Sequence, residues 1–181
     1  MKHFISILLA FAVASSVIVH ASEDQTSKCY PITAKDLYQH GAPKFEQYPA
    51  SQDKLIKPAP VDLTDPKTRR FRTVLKSCAK NGPNFAGHYT VVGWGCGTSC
   101  VSFAIVDAKT GIVFFPQNIS NISGVHLSAD EFEPNTQSTF WGLRYIRGSQ
   151  LLIIVGSINE DENLEGAFYY IFKDGALKPI P

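Results

Sequence analysis

The residues with the most chemistry in them stand close together in the stretch Phe85-Ala-Gly-His-Tyr-Thr-Val-Val-Gly-Trp-Gly-Cys-Gly-Thr-Ser-Cys100. Cys96 and Cys100 flank three residues, and His88 lies upstream of both. A thiol enzyme needs its thiolate favoured by a cation, a helix N-terminus or a nearby imidazole, and His88 is the candidate imidazole. The dithiol oxidoreductase pattern has two residues between its cysteines and precedes a helix. Here there are three, and the sequence that follows reads as a strand. A disulfide closing a glycine-rich turn is the better reading. Ser99 and Ser102 offer a hydrolytic alternative with His88, but no acid is placed by spacing, and Asp107 lies far along the next strand.

Metal binding is the second chemistry to weigh. Cys96, Cys100, His88 and His126 form a set of the kind zinc takes, but not at a familiar ligand spacing. The acidic run Asn159-Glu-Asp-Glu-Asn-Leu-Glu165 alternates oxygen-bearing side chains and loosely resembles a calcium loop. It has Leu164 where the EF-hand turn needs glycine, and strands on both sides. No metal and no cofactor is expected. Glycine-framed phosphate loops, dinucleotide fingerprints and a Gly-x-Ser-x-Gly elbow do not occur.

Recognition is the third. Trp and Tyr dominate binding hot spots, which singles out Tyr89, Trp94, Trp141 and Tyr145, with His88 beside them. Most aromatic residues of such a chain belong to its core. Trp94 is the one expected at the surface, because glycines on both sides place it in the turn. The binding set expected from sequence is His88, Tyr89, Trp94 and Trp141.

The elements that must hold these residues begin after a leader. Lys2 and His3 precede an apolar run from Phe4 to Val19, and Val19-His20-Ala21 fits a signal-peptidase site. The expectation is a signal peptide over 1–21 and one mature domain over 22–181, periplasmic or secreted, with no stable membrane span after cleavage. The 17 basic residues lose Lys2 with the leader and then match the 16 acidic ones. A neutral chain gives no electrostatic reason to bind nucleic acid. Cys29, Cys78, Cys96 and Cys100 fit two disulfides in an oxidising compartment. Three connectivities are open, of which Cys96–Cys100 with Cys29–Cys78 is preferred.

Residues 22–65 read as a proline-punctuated arm, with Pro31, Pro43, Pro49, Pro58 and Pro60 barring a long regular element. Asp65-Pro66 starts a helix as N-cap and first helical residue. Phe71, Val74, Leu75 and Cys78 give it one apolar face, and Asn81-Gly82-Pro83 ends it, so a single helix is expected near 66–80. Strands follow at Tyr89–Gly93, Val101–Asp107, Ile112–Phe115, Phe140–Ile146, Leu151–Ile158 and Ala167–Phe172. Leu151-Leu-Ile-Ile-Val155 is continuously apolar and fits a central strand buried on both faces. The fold class is α+β, mainly antiparallel β: a curled meander sheet with one packed helix over 66–181, preceded by the arm.

At Asn84-Phe-Ala-Gly-His-Tyr, Trp94-Gly-Cys-Gly-Thr-Ser-Cys and Ile105-Val-Asp-Ala-Lys-Thr-Gly the chain resembles a family of small exported bacterial proteins. The resemblance runs from about Arg69 to the C-terminal strands. It implies a Gram-negative periplasmic or secreted location and carries over no catalytic residue. The function expected is a non-catalytic binding protein, an inhibitor or envelope protective factor acting on another envelope or extracellular protein. The alternatives are a thiol or hydrolytic enzyme built on His88, and a purely structural envelope component.

Overall fold

The computed structural model describes residues 41–52, 54, 57–123 and 142–181. The leader, Cys29, His126 and Trp141 lie outside these residues, and so do the expectations placed on them.

Asp65 caps the first helix as its sequence requires, its carboxylate accepting a hydrogen bond from the Thr68 amide at 3.0 Å. The single helix expected over 66–80 is two helices, α1 (Pro66–Arg70) and α2 (Arg72–Ala79), broken at Phe71. Phe71 leaves helical geometry (φ −101°, ψ 14°), and its ring stacks on Trp94 with centroids 4.5 Å apart. Tertiary packing overrides the local helical preference at that residue.

The sheet is an antiparallel, curled half-barrel of eight strands. They are β1 (Tyr89–Gly97), β2 (Cys100–Asp107), β3 (Val113–Phe114), β4 (Ile122–Ser123), β5 (Leu143–Tyr145), β6 (Leu151–Ile158), β7 (Glu165–Lys173) and β8 (Ala176–Pro179). The main order is β1-β2-β4-β6-β7-β8, with β3 beside β2 and β5 beside β6. Two elements escaped sequence reading. Strand β4 has only two residues, yet Ile122 is fully buried and bridges β2 to β6. Strand β8 follows a tight Asp174-Gly175 turn, both residues left-handed (φ 55° and 75°), the geometry of a two-residue hairpin.

Alternation along β1 and β2 divides the core. Val91, Phe103 and Ile105 face the concave side, where they meet Phe85, Leu143, Tyr145, Leu152, Ile154 and Phe172. Val92, Ala104 and Val106 face outward, under Leu75 and Ala79 of α2 and Val61 of the arm. Strand β6 repeats the device: Leu152 and Ile154 point in, while Leu151, Ile153 and Val155 point out beneath Phe45. This explains the unbroken apolar run at 151–155, because both faces are dry. The arm is thus core-forming at Phe45 and Val61. Burying one such side chain contributes about 1.5–3 kcal/mol.

Candidate functional site

The Asn84–Tyr89 motif is a tight turn that faces two other segments. The amide of Phe85 donates to the Tyr89 carbonyl and the amide of Tyr89 to the Phe85 carbonyl, each at 2.9 Å. Ala86 and Gly87 between them are both left-handed (φ 42° and 85°). The Asn84 carboxamide stands in for a neighbouring strand. Its Oδ1 accepts from the Val91 amide at 2.8 Å and its Nδ2 donates to the Val91 carbonyl at 3.3 Å, which satisfies the start of the β1 edge.

Gly87 lies against the arm, and a Cβ there would overlap the Ser51 carbonyl. Its amide donates to the Arg147 carbonyl at 2.7 Å, and Arg147 Nε returns a bond to the Gly87 carbonyl at 2.9 Å. Ser149, wholly buried, ties the third segment in. Its hydroxyl lies 2.8 Å from the Phe45 carbonyl and 2.9 Å from that of Tyr48, and it accepts from the Leu151 amide at 3.1 Å. Arm, 84–89 turn and 147–150 turn therefore form one hydrogen-bonded unit at one end of the sheet.

That unit holds His88 and Tyr89 on the wall of a cleft of about 350 Å³. Ser51 and Gln150 line it from one side, and Lys173 and Asp174 from the β7–β8 turn, with Phe172 below. Edge strand β1 meets β7 here through Tyr89 and Phe172, whose rings make an edge contact at 4.8 Å. The cleft is the mouth of the half-barrel, a place where β folds commonly bind ligands.

His88 Nε2 lies 3.7 Å from Asp107 Oδ1, and its ring packs on Tyr89 at 4.2 Å between centroids. Asp107 is set by its own turn, its Oδ1 accepting from the Lys109 amide at 2.8 Å. The Ala108 amide also donates to the His88 carbonyl at 3.0 Å, so backbone and side chain hold the pair together. Burial pushes the Tyr89 phenol above its usual range, and the nearby Asp107 carboxylate adds to the effect. The site can supply an imidazole, a neutral phenol, an ammonium and a carboxylate around an aromatic floor. Such a set holds a polar group and packs its apolar stem.

The other sequence candidates lie elsewhere. Cys96 and Cys100 form the expected disulfide, with Cα atoms 5.2 Å apart. It closes the far end of the β1–β2 hairpin, while His88 precedes the near end. About 26 Å of chain separates His88 from Cys96 at roughly 3.3 Å per residue. The structure therefore does not bring His88 to either cysteine. Ser102 is also remote, paired with Trp94 across the hairpin and donating to the Ser120 carbonyl at 2.8 Å. Cys78 is a half-buried free thiol on α2, and its expected partner Cys29 is outside the described residues.

Trp94 is half-buried on the opposite face of the sheet from Tyr89. Phe71 stacks on it and Phe115 meets its edge, centroids 6.4 Å apart. The flanking glycines did place it beside an exposed turn, but Phe71 and Phe115 cover its ring. Tyr145 is core, 1% exposed. In the acidic loop, Asp161 Oδ1 accepts from the amide and the side chain of Asn163, both at 2.9 Å. Asn159 Oδ1 turns away to the Ser120 amide and hydroxyl. No group of three or more His, Cys, Asp or Glu side chains converges on a metal-sized point among the described residues.

Sequence reading placed His88 and Tyr89 in the candidate set and missed Ser51, Gln150, Lys173 and Asp174. Lys173-Asp-Gly175 was legible as a turn; that it lies against β1 depends on the curl of the whole sheet. No family model, curated protein or solved structure matches the chain.

Proposed function

We propose that this chain is an exported, non-catalytic binding protein whose recognition site is the mouth of the half-barrel. The observation that carries this reading is the 350 Å³ cleft in which His88, Tyr89, Lys173 and Asp174 surround an aromatic floor. Its volume sits at the low end of the ~300–1,000 Å³ range for ligand sites, which suits one anchoring side chain of a protein partner. The partner is another envelope or extracellular protein. Export is supported by the leader-like N-terminus and by a disulfide in a small domain. A photo-crosslinking residue at position 173 is expected to trap a discrete adduct in the envelope, and one at exposed position 163 to trap none. Equal trapping at both positions, or at neither, contradicts the reading.

A hydrolytic role has one observation in its favour. Ser51 and His88 line the same cleft, and Asp107 backs His88. A fluorophosphonate probe separates the two roles. Labelling of Ser51 that is lost in His88→Ala supports hydrolysis, and an unlabelled protein supports binding.

A further inference from the structure

A second concavity has no part in the cleft. It is a groove of about 240 Å³ between arm residues 57–61 and helix α2. Pro58, Ala59, Pro60, Val61 and Ala79 make its lining apolar, and its rim carries three cations, Lys57, Lys76 and Lys80. Among the described residues no acidic side chain lines it. The ion pairs among the described residues lie elsewhere, at His88–Asp107 and Asp174–Lys178.

Position on the helix explains part of this arrangement. Lys76 lies in the last turn of α2 and Lys80 caps it, where a cation complements the helix dipole. That account does not cover Lys57, which arrives from a separate segment onto the same groove. Nor does it cover an apolar lining left open beneath three ammonium groups. Three like charges around low-dielectric walls raise the local concentration of anions.

We propose that the groove binds a single-chain anionic amphiphile, a free medium-chain fatty-acid carboxylate. The alkyl stem would lie on the Pro58, Val61 and Ala79 surface, and the carboxylate would take charge-assisted hydrogen bonds from the lysines. The lining selects this class: cations on the rim over an apolar floor suit an anionic head carried on an apolar stem, and about 240 Å³ is room for one short alkyl chain.

Decanoate, kept below its micelle concentration, is the probe, followed by calorimetry and by the NMR methyl shifts of Ala59 and Ala79. Saturable binding that moves both methyls is expected, with no comparable effect from acetate or decyltrimethylammonium. The variant Lys57→Gln, Lys76→Gln, Lys80→Gln should weaken decanoate at least tenfold, with only the small fall in thermal midpoint that loss of the helix-dipole complement brings. A charge-matched variant at Lys44, Lys67 and Lys178 should bind as the wild type does. The proposal is overturned by absent saturation, by undiminished binding in the triple variant, or by equal binding of decyltrimethylammonium. Binding confined to anionic phospholipid vesicles overturns it too, because that would make the lysines a membrane-surface patch.

Discussion

His88 and Asp107 face each other across the open end of the β1–β2 hairpin, with Nε2 and Oδ1 3.7 Å apart. Tyr89 pairs with Asp107, and the 85–89 turn just before it brings His88 back to that carboxylate. The pair holds the His88 ring on the wall of the cleft, where a bound partner would meet it. His88→Ala should therefore weaken capture of the partner about tenfold or more, the equivalent of roughly 1.4 kcal/mol. Asp107→Asn should cost less, because the carboxamide oxygen can still accept from the Lys109 amide. Binding isotherms of the two variants against the cross-linked partner check the order.

Gly87 makes the unit possible. A Cβ there would overlap the Ser51 carbonyl, and its φ of 85° disfavours any side chain. Gly87→Ala is expected to destabilise the fold by about 2 kcal/mol or more, since strain and backbone displacement act together. Gly82→Ala is the control. It shares a positive φ of 88° but has open space, so it should cost only about 1 kcal/mol. Urea midpoints of the two variants decide this, and equal losses would show that the arm can move aside.

The disulfide and the cleft sit at opposite ends of one hairpin, which separates stability from binding. Replacing Cys96 and Cys100 by serine removes a small loop closure, expected to cost about 2 kcal/mol in the chain-entropy account. Affinity at the cleft should stay within twofold. A large loss of affinity at unchanged stability would place recognition at the turn after all.

Three tyrosines tie stability to alkaline pH. Burial raises the phenol pKa of Tyr89, Tyr169 and Tyr170 above the ordinary value near 10. The unfolded chain then loses these protons first and the native state holds more of them. Stability is unaffected by this effect below about pH 10 and falls as pH rises through the folded values. Urea midpoints at pH 8, 9.5 and 11 should decline over the last interval, and Tyr170→Phe should make the decline shallower. A decline unchanged in that variant would assign it to other groups.

What the sequence discloses here follows the range of the interaction. Asp65-Pro66 marks a helix start because cap and first turn are local. The 151–155 run announces a doubly buried strand because burial is written in residue type. Cys96 and Cys100 are near neighbours, and their pairing was legible from their spacing around a glycine turn. The break at Phe71 was not legible, since it depends on Trp94, which a strand brings under the helix. The Trp94 surface expectation met the same obstacle from the other side. The cleft was half legible: His88 and Tyr89 stand in a dense motif, whereas Lys173 and Asp174 join them only through the curl that sets Phe172 against Tyr89.

One comparison tests the central claim most directly, because the sheet puts its two candidate recognition residues on opposite sides. Affinity for the captured partner is measured for wild type, His88→Ala and Trp94→Ala. Trp94→Ala should lower stability by about 2 kcal/mol through its lost packing on Phe71, yet bind within twofold of wild type. His88→Ala should keep its stability and lose tenfold or more in affinity. The reverse pattern, with binding lost in Trp94→Ala and intact in His88→Ala, would contradict a recognition site at the mouth of the half-barrel.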